Sequence, residues 1–396
     1  VGLYLERVAG ERQRHALFAI SLASNLSESM LAAMLDVPDV RELFDWLQQQ
    51  VFVYRGPRGL RLHERIGEAL RVELKWRNPD LHQTWVRRAG DYLARKMADE
   101  NSEAAVQDYL FTIRDLPAIR QIFVVPQDTG LSLEVPTEAD FGDLAEMIER
   151  HEGKQARAWF GFWWERQRDE LLVLRGEDRN LEGLVFYLDV TAPGKEERGD
   201  PAVRALSDYL ARYAPLRGNE KASLCRFVMA KGTYQAPSPA MTQLLSYNAL
   251  RAFRKPDLAF QASVRREDGN ARTQARYSNV PPLEGCEFSC EGGDYFLMGH
   301  DWRVEPPGQW VRNVTERILS WNTRGGDEAV SGAVLDYARF GEAIREALKD
   351  YANARALGDN PAAASCLVRS ACGTGRDPGQ VFGEVLAQAV GEMRQN

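Results

Sequence analysis

Apolar positions in the first hundred residues recur at helical spacing and stop at turn residues. The runs 10–24 (GERQRHALFAISLAS) and 27–35 (SESMLAAML) predict short amphipathic helices, the second with Ser27 as its N-cap. Asp39–Gln50 predicts a third helix, and VFVYRGPRGLRLH predicts two short strands about a Gly-Pro-Arg-Gly turn. Three helices and a hairpin make a winged helix-turn-helix. Helical spacing resumes over 64–76 and 80–100. Beyond a linker containing Pro126 and Gly130 the pattern changes. LSLEV alternates like a half-buried strand, Thr137-x-x-Asp140 reads as a capping box, and Phe141, Leu144, Ala145 and Ile148 mark a helix face. A helix (KQARAWFGFWWERQ), the strands DELLVLRG and LEGLVFYLDV, and a helix at PAVRALSDYLARYA follow. Leu224 to Lys255 then reads as an apolar strand, a loop (KGTYQAPSP) and a helix opened by Ser238-Pro239, where proline forfeits no hydrogen bond. LAFQASVRR and the hairpin CEFSCEGGDYFLMGHDW end the strands, with His300-Asp301-Trp302 as a structural corner, and the remainder is helical.

Composition narrows the function. A chain of 396 residues predicts two or three domains. Its formal charge of −7 argues against bulk attraction to nucleic acid or anionic membrane. The third helix offers Arg41, Glu42, Asp45, Gln48 and Gln49, a poor surface for phosphates. The cations Arg55, Arg58, Arg61, Arg65, Arg71, Lys75 and Arg77 lie on the wing and the next helix, interleaved with Glu64, Glu68 and Glu73 as on a solvated face. Nucleic acid is therefore not an expected partner. No apolar run approaches the ~18 residues of a membrane span. With no signal-peptide core at its start, the chain is expected to be cytoplasmic, and to be a piece of something longer. The five cysteines (Cys225, Cys286, Cys290, Cys366 and Cys372) fit a reducing compartment. Cys286 and Cys290 lack a second ligand pair and read as ordinary strand cysteines, so no metal is expected.

The strand, loop and helix at 224–255 resemble the part of the GNAT acyltransferase fold that grips coenzyme A, and the order of elements from Leu131 to Trp302 fits that fold. The resemblance implies an α/β domain with a mixed sheet over 129–303. It also implies acetyl-CoA or CoA at Met229, Lys231, Gly232, Thr233, Ser238 and Ala240, with Tyr277 as acid and Asp189 or Glu182 as base. The loop departs from the family's Arg/Gln-x-x-Gly-x-Gly/Ala pattern. Gly232 is its single glycine, and Pro237 and Pro239 remove two N–H donors. The aromatic run Trp159, Phe160, Phe162, Trp163 and Trp164 sits where the fold places an acceptor-lining helix, and a domain interface is its favoured use.

A second resemblance rests on LFDWL…FV…GLRLHERIGEAL…ELKWRNPDLH, which is similar to the winged helix and following helices of bacterial STAND-type signalling ATPases over about residues 1–125. The run DYARFGEAIREALKDY…DNPAAASCLV resembles the tail of the same proteins. The resemblance implies an upstream or separate nucleotide-binding ATPase domain as partner. No G-x-x-x-x-G-K-[ST] occurs, so ATP is not expected to bind this chain.

The expected fold is multidomain α+β: a winged helix with a helical bundle (1–125), a GNAT-like domain (129–303) and a helical C-terminal region (304–396). The favoured function is the regulatory or sensor region of a signalling ATPase, its GNAT-like domain degenerate and binding a small ligand or protein partner. The alternatives are an acetyl-CoA-dependent N-acyltransferase with an atypical cofactor loop, and a winged-helix DNA-binding regulator.

Overall fold

A computed structural model describes residues 8, 10–56, 58–100, 102–114, 119, 123–124, 130–268, 271–272, 275, 278–321, 337–351, 353–364, 368 and 377–393. The chain divides into two compact units, Val1–Ala192 with Lys221–Gly326, and Pro193–Glu220 with Asp327–Asn396. Residues 193–220, inside the middle segment by sequence order, thus belong to the second unit.

The first unit opens with α1 (Glu11–Leu22), α2 (Glu28–Leu35) and α3 (Arg41–Gln48). Ser27 caps α2 by accepting the Met30 N–H at 3.1 Å. The wing is β1 (Val53–Gly56) paired antiparallel with β2 (Gly59–Leu62). Three helices extend the module: α4 (Glu64–Arg77), α5 (Pro79–Glu100) and α6 (Glu103–Ile113). Leu17, Ile20, Leu31, Leu47, Leu60, Leu70, Trp85 and Leu93 form its core, each at most 2 % exposed.

The sheet that follows comprises β3 (Ser132–Glu134), β4 (Leu171–Arg175), β5 (Leu181–Asp189), β6 (Lys221–Ala230), β7 (Leu258–Arg266), β8 (Pro282–Cys290) and β9 (Gly293–Asp301), in the order β3-β4-β5-β6-β7-β9-β8. Every neighbouring pair is antiparallel except β6 and β7, which run parallel. On one face lie α7 (Phe141–Glu152) and α8 (Lys154–Gln167). Phe160 of α8 meets Phe186 and Phe227 edge-on and stacks on Phe141. Phe160 and Trp163 are fully buried and Trp164 nearly so. Phe160, Trp163 and Trp164 therefore anchor α8 on the sheet, while Trp159 and Phe162 are half-buried. On the opposite face α10 (Pro239–Arg254) packs Met241 and Leu244 against Leu174, Val185, Tyr187 and Cys225.

The winged-helix module shares its core with two helices of the later segment. Leu250 of α10, and Val311, Val314 and Ile318 of α11 (Pro307–Trp321), join the apolar cluster of the N-terminal helices. Tyr109 of α6 and Thr315 of α11 share a buried hydroxyl–hydroxyl hydrogen bond of 2.8 Å. Gly90 of α5 permits this approach, since a Cβ there would lie 3.2 Å from the Thr315 hydroxyl.

The second unit holds α9 (Pro201–Tyr213), α12 (Tyr337–Lys349), α13 (Ala354–Asp359) and α14 (Pro378–Met393). Asp200 caps α9 through the Ala202 N–H at 3.0 Å. Ala347, Leu357, Val381 and Phe382 form its core. Cys366 and Cys372 lie outside the described residues.

A candidate ligand site at the fork of β6 and β7

β6 and β7 are parallel neighbours only over Lys221–Cys225 and Leu258–Ser263; beyond Cys225 no pairing continues and the strands fork. The fork begins at a bulge. Phe227 of β6 opposes Phe186 of β5 and Cys225 opposes Tyr187, which leaves Arg226 as the extra residue. Arg226 is 2 % exposed, and its Nη1 lies 3.3 Å from a carboxylate oxygen of Glu152, itself 1 % exposed, at the end of α7. A charge buried to this extent needs a counterion and further hydrogen bonds. Glu152 also accepts the Tyr234 hydroxyl at 3.0 Å. Burial raises the Glu152 pKa above the ordinary carboxylate value against the pull of Arg226, Tyr234 and Arg266.

Between the forked strands lies the loop after β6. Ala230 and Tyr234 exchange backbone hydrogen bonds at 2.9 and 3.0 Å, closing a tight turn that holds Tyr234 at φ 55°. Such a conformation is costly for a bulky side chain and persists where its surroundings fix it. Here Tyr234 stacks on His151 at 5.0 Å, binds Glu152 and lies 4.5 Å beneath the Arg266 guanidinium. The next side chain spans the gap. Gln235 Nε2 donates to the carbonyls of Val228 on β6 and Val264 on β7, at 3.2 Å each, and its Oε1 accepts the Arg266 N–H at 3.0 Å. One amide thus replaces the ladder bonds that the diverging strands cannot make with each other.

Arg266 completes the far side through hydrogen bonds to the carbonyls of His151 and Gly292 and to the Tyr295 hydroxyl. Gly292 is required there, because a Cβ would lie 2.5 Å from the Glu152 Cα. Arg265 is also buried, which lowers its pKa, and burial pushes Tyr295 up to about 12. The fork is a buried, densely bonded polar core.

The residues expected to hold a cofactor run from the end of β6 through the same loop into the first turn of α10. Met229 is fully buried and faces Leu184 in the ladder. The Lys231 N–H donates to the Glu182 carbonyl at 2.8 Å, and its own carbonyl meets His151 Nε2 at 3.0 Å. Gly232 is exposed with open space where a Cβ would stand, so nothing in this conformation demands a glycine. Thr233 donates to Ser238 at 3.0 Å, and Ser238 accepts the Met241 N–H at 3.2 Å as the N-cap of α10. Ala240 is half-buried in the first turn. The capping oxygen is thus engaged by the protein itself.

The proposed bases are not brought together. Glu182 and Asp189 lie at opposite ends of β5, seven residues apart, or about 23 Å at ~3.3 Å per residue. Asp189 accepts the Thr191 N–H at 2.9 Å and so caps a turn. Tyr277 lies outside the described residues. His300 and Asp301 do not bond each other: the His300 nitrogens face the Asn279 and Glu305 carbonyls at 3.1 and 3.0 Å, while Asp301 holds Arg303. Among the described residues no group of three or more His, Cys, Asp or Glu side chains could hold a metal ion, and no helix is long and apolar enough to cross a membrane.

Glu152, Arg226, Tyr234, Gln235 and Arg266 escaped the sequence reading. A signal was present: an arginine inside the apolar strand LCRFVMA requires a buried acid from elsewhere. Which acid was not readable.

Residues 7–82 match the family of the MalT winged helix domain, in agreement with the three helices and hairpin seen there. No curated protein matches the chain.

Proposed function

We propose that this chain is the regulatory region of a signalling ATPase, and that its sheet belongs to a GNAT-like domain turned from acyl transfer to the sensing of a ligand or partner. The winged-helix match over 7–82 supports the first half. One central parallel pair ending in a fork, within an otherwise antiparallel sheet, supports kinship with the acyltransferase fold. The observation that carries the loss of cofactor chemistry is the Gln235 amide. Its bonds to the Val228 and Val264 carbonyls occupy backbone acceptors that an extended ligand lying in the fork would use. The engagement of Ser238 in capping supports the same reading. Regulation then works by population shift: a ligand or partner that prefers one arrangement of winged helix and sheet changes what an upstream ATPase domain does.

Calorimetric titration with acetyl-CoA and CoA, beside a thermal melt, tests the loss of the cofactor. A ligand of the folded state raises stability by about 2.7 kcal/mol at a hundred times its dissociation constant. The expected result is neither heat nor melt shift up to millimolar ligand. Saturable binding that disappears when the 231–238 loop is altered would make the chain an acyltransferase candidate instead.

A further inference from the structure

A cleft of about 290 Å³ separates the wing from the first turns of α10. Arg58 and Arg61 of the wing segment and Arg71 of α4 line it on the winged-helix side, and Pro239 and Gln243 on the α10 side. Its charges are unequal. The lining carboxylates are Glu64, which is exposed, and Asp108 of α6, which is already engaged by Arg58 at 3.1 Å, by Asn25 at 3.3 Å and by Ser24. Arg71 donates from Nη1 to the Ser21 carbonyl at 3.1 Å, which fixes its guanidinium in the lining. Arg61 is half-buried. The opening turn of α10 adds the positive end of a helix dipole. On a chain of charge −7, this is a concave surface with a local cationic excess.

We propose that this cleft binds a small organic anion, carrying a phosphate or carboxylate on a body able to form hydrogen bonds. The volume lies near the lower end of the ~300–1,000 Å³ usual for small-molecule pockets, which suits a molecule the size of a sugar phosphate. Guanidinium groups pair with either anion in a forked geometry. Of the neutral lining, Gln107 and Gln243 supply donors and acceptors for the body, while the buried Thr242 hydroxyl accepts the Val124 N–H at 3.1 Å and the Ser246 hydroxyl donates to the Thr242 carbonyl at 2.7 Å. Gln107 donates to Gln243 across the cleft at 3.0 Å, the bond such a molecule would have to accommodate. One wall is winged helix, and the other is the helix that continues from the Tyr234–Gln235 loop. An anion held between them acts on both. The proposal stands on the cleft alone and holds whether or not the fork takes coenzyme A.

The test is melting and calorimetry of the full chain with pyrophosphate and with citrate, at constant ionic strength against sodium chloride. A saturable rise in melting temperature with either probe is expected, weakened at least tenfold in Arg61→Glu and in Gln243→Glu. Response to pyrophosphate alone identifies a phosphate ligand, and response to citrate alone a carboxylate. The variants place a carboxylate on opposite walls, so if one fails to melt cooperatively the other decides. A response no greater than that to chloride, or equal affinity in the folded variants, overturns the site.

Discussion

Arg226 and Glu152 show how one residue pair sets the geometry around it. The bulge leaves Arg226 without an opposing residue on β5, and the fork gives it a position where its charge must be met by Glu152. Because burial raises the folded-state pKa of Glu152 above the usual 4.5, the folded chain holds an extra proton between the two values. Stability contributed at this group therefore falls as pH rises through that window, and grows as pH is lowered through it toward 4.5. Urea melts at a series of pH values should show the wild type gaining stability over Glu152→Gln as pH falls; the opposite slope would sink this account. Gln235→Leu should cost about 2–4 kcal/mol, since the Val228 and Val264 carbonyls and the Arg266 N–H each lose a buried partner. A loss below about 0.5 kcal/mol in the same melts would mean the amide is not holding the fork.

Among the elements, α10 shows what local signals can fix. Ser238 at the N-cap and Pro239 after it are legible because capping needs only residues adjacent in sequence. Ser238→Ala should destabilise by about 1 kcal/mol, measured by chemical denaturation, because the Met241 N–H loses its acceptor. The aromatic run of α8 was legible as a helix but not in its role. Periodicity shows that the rings cannot all share one face; it does not show that Phe186 and Phe227 stand ready to bury Phe160. At Gly183 the same limit applies. A Cβ there would lie 2.6 Å from the Met229 carbonyl, a requirement set wholly by the neighbouring strand.

Across the first unit, one apolar cluster holds the N-terminal helices to α10 and α11, which contribute Leu250, Val311, Val314 and Ile318, and α10 in turn packs on the sheet. Removing residues 1–113 should therefore leave an exposed apolar face. The truncated chain is expected to bind a hydrophobic dye and to aggregate, both absent from the full chain; a monodisperse, dye-negative fragment would show that the sheet folds independently. The sequence alone determined the winged helix, the order of the strands in the middle segment and the cap of α10, because these follow from hydrophobic period, turn residues and contacts a few positions apart; the start of β8 at Pro282, within a stretch that reads as polar loop, it did not. Only the tertiary structure decided which acid meets Arg226, that Gln235 ties β6 to β7, and that a cationic cleft opens between wing and α10. Those outcomes join residues dozens to more than a hundred positions apart, and a buried charge states that it needs a partner without stating where in the chain that partner lies.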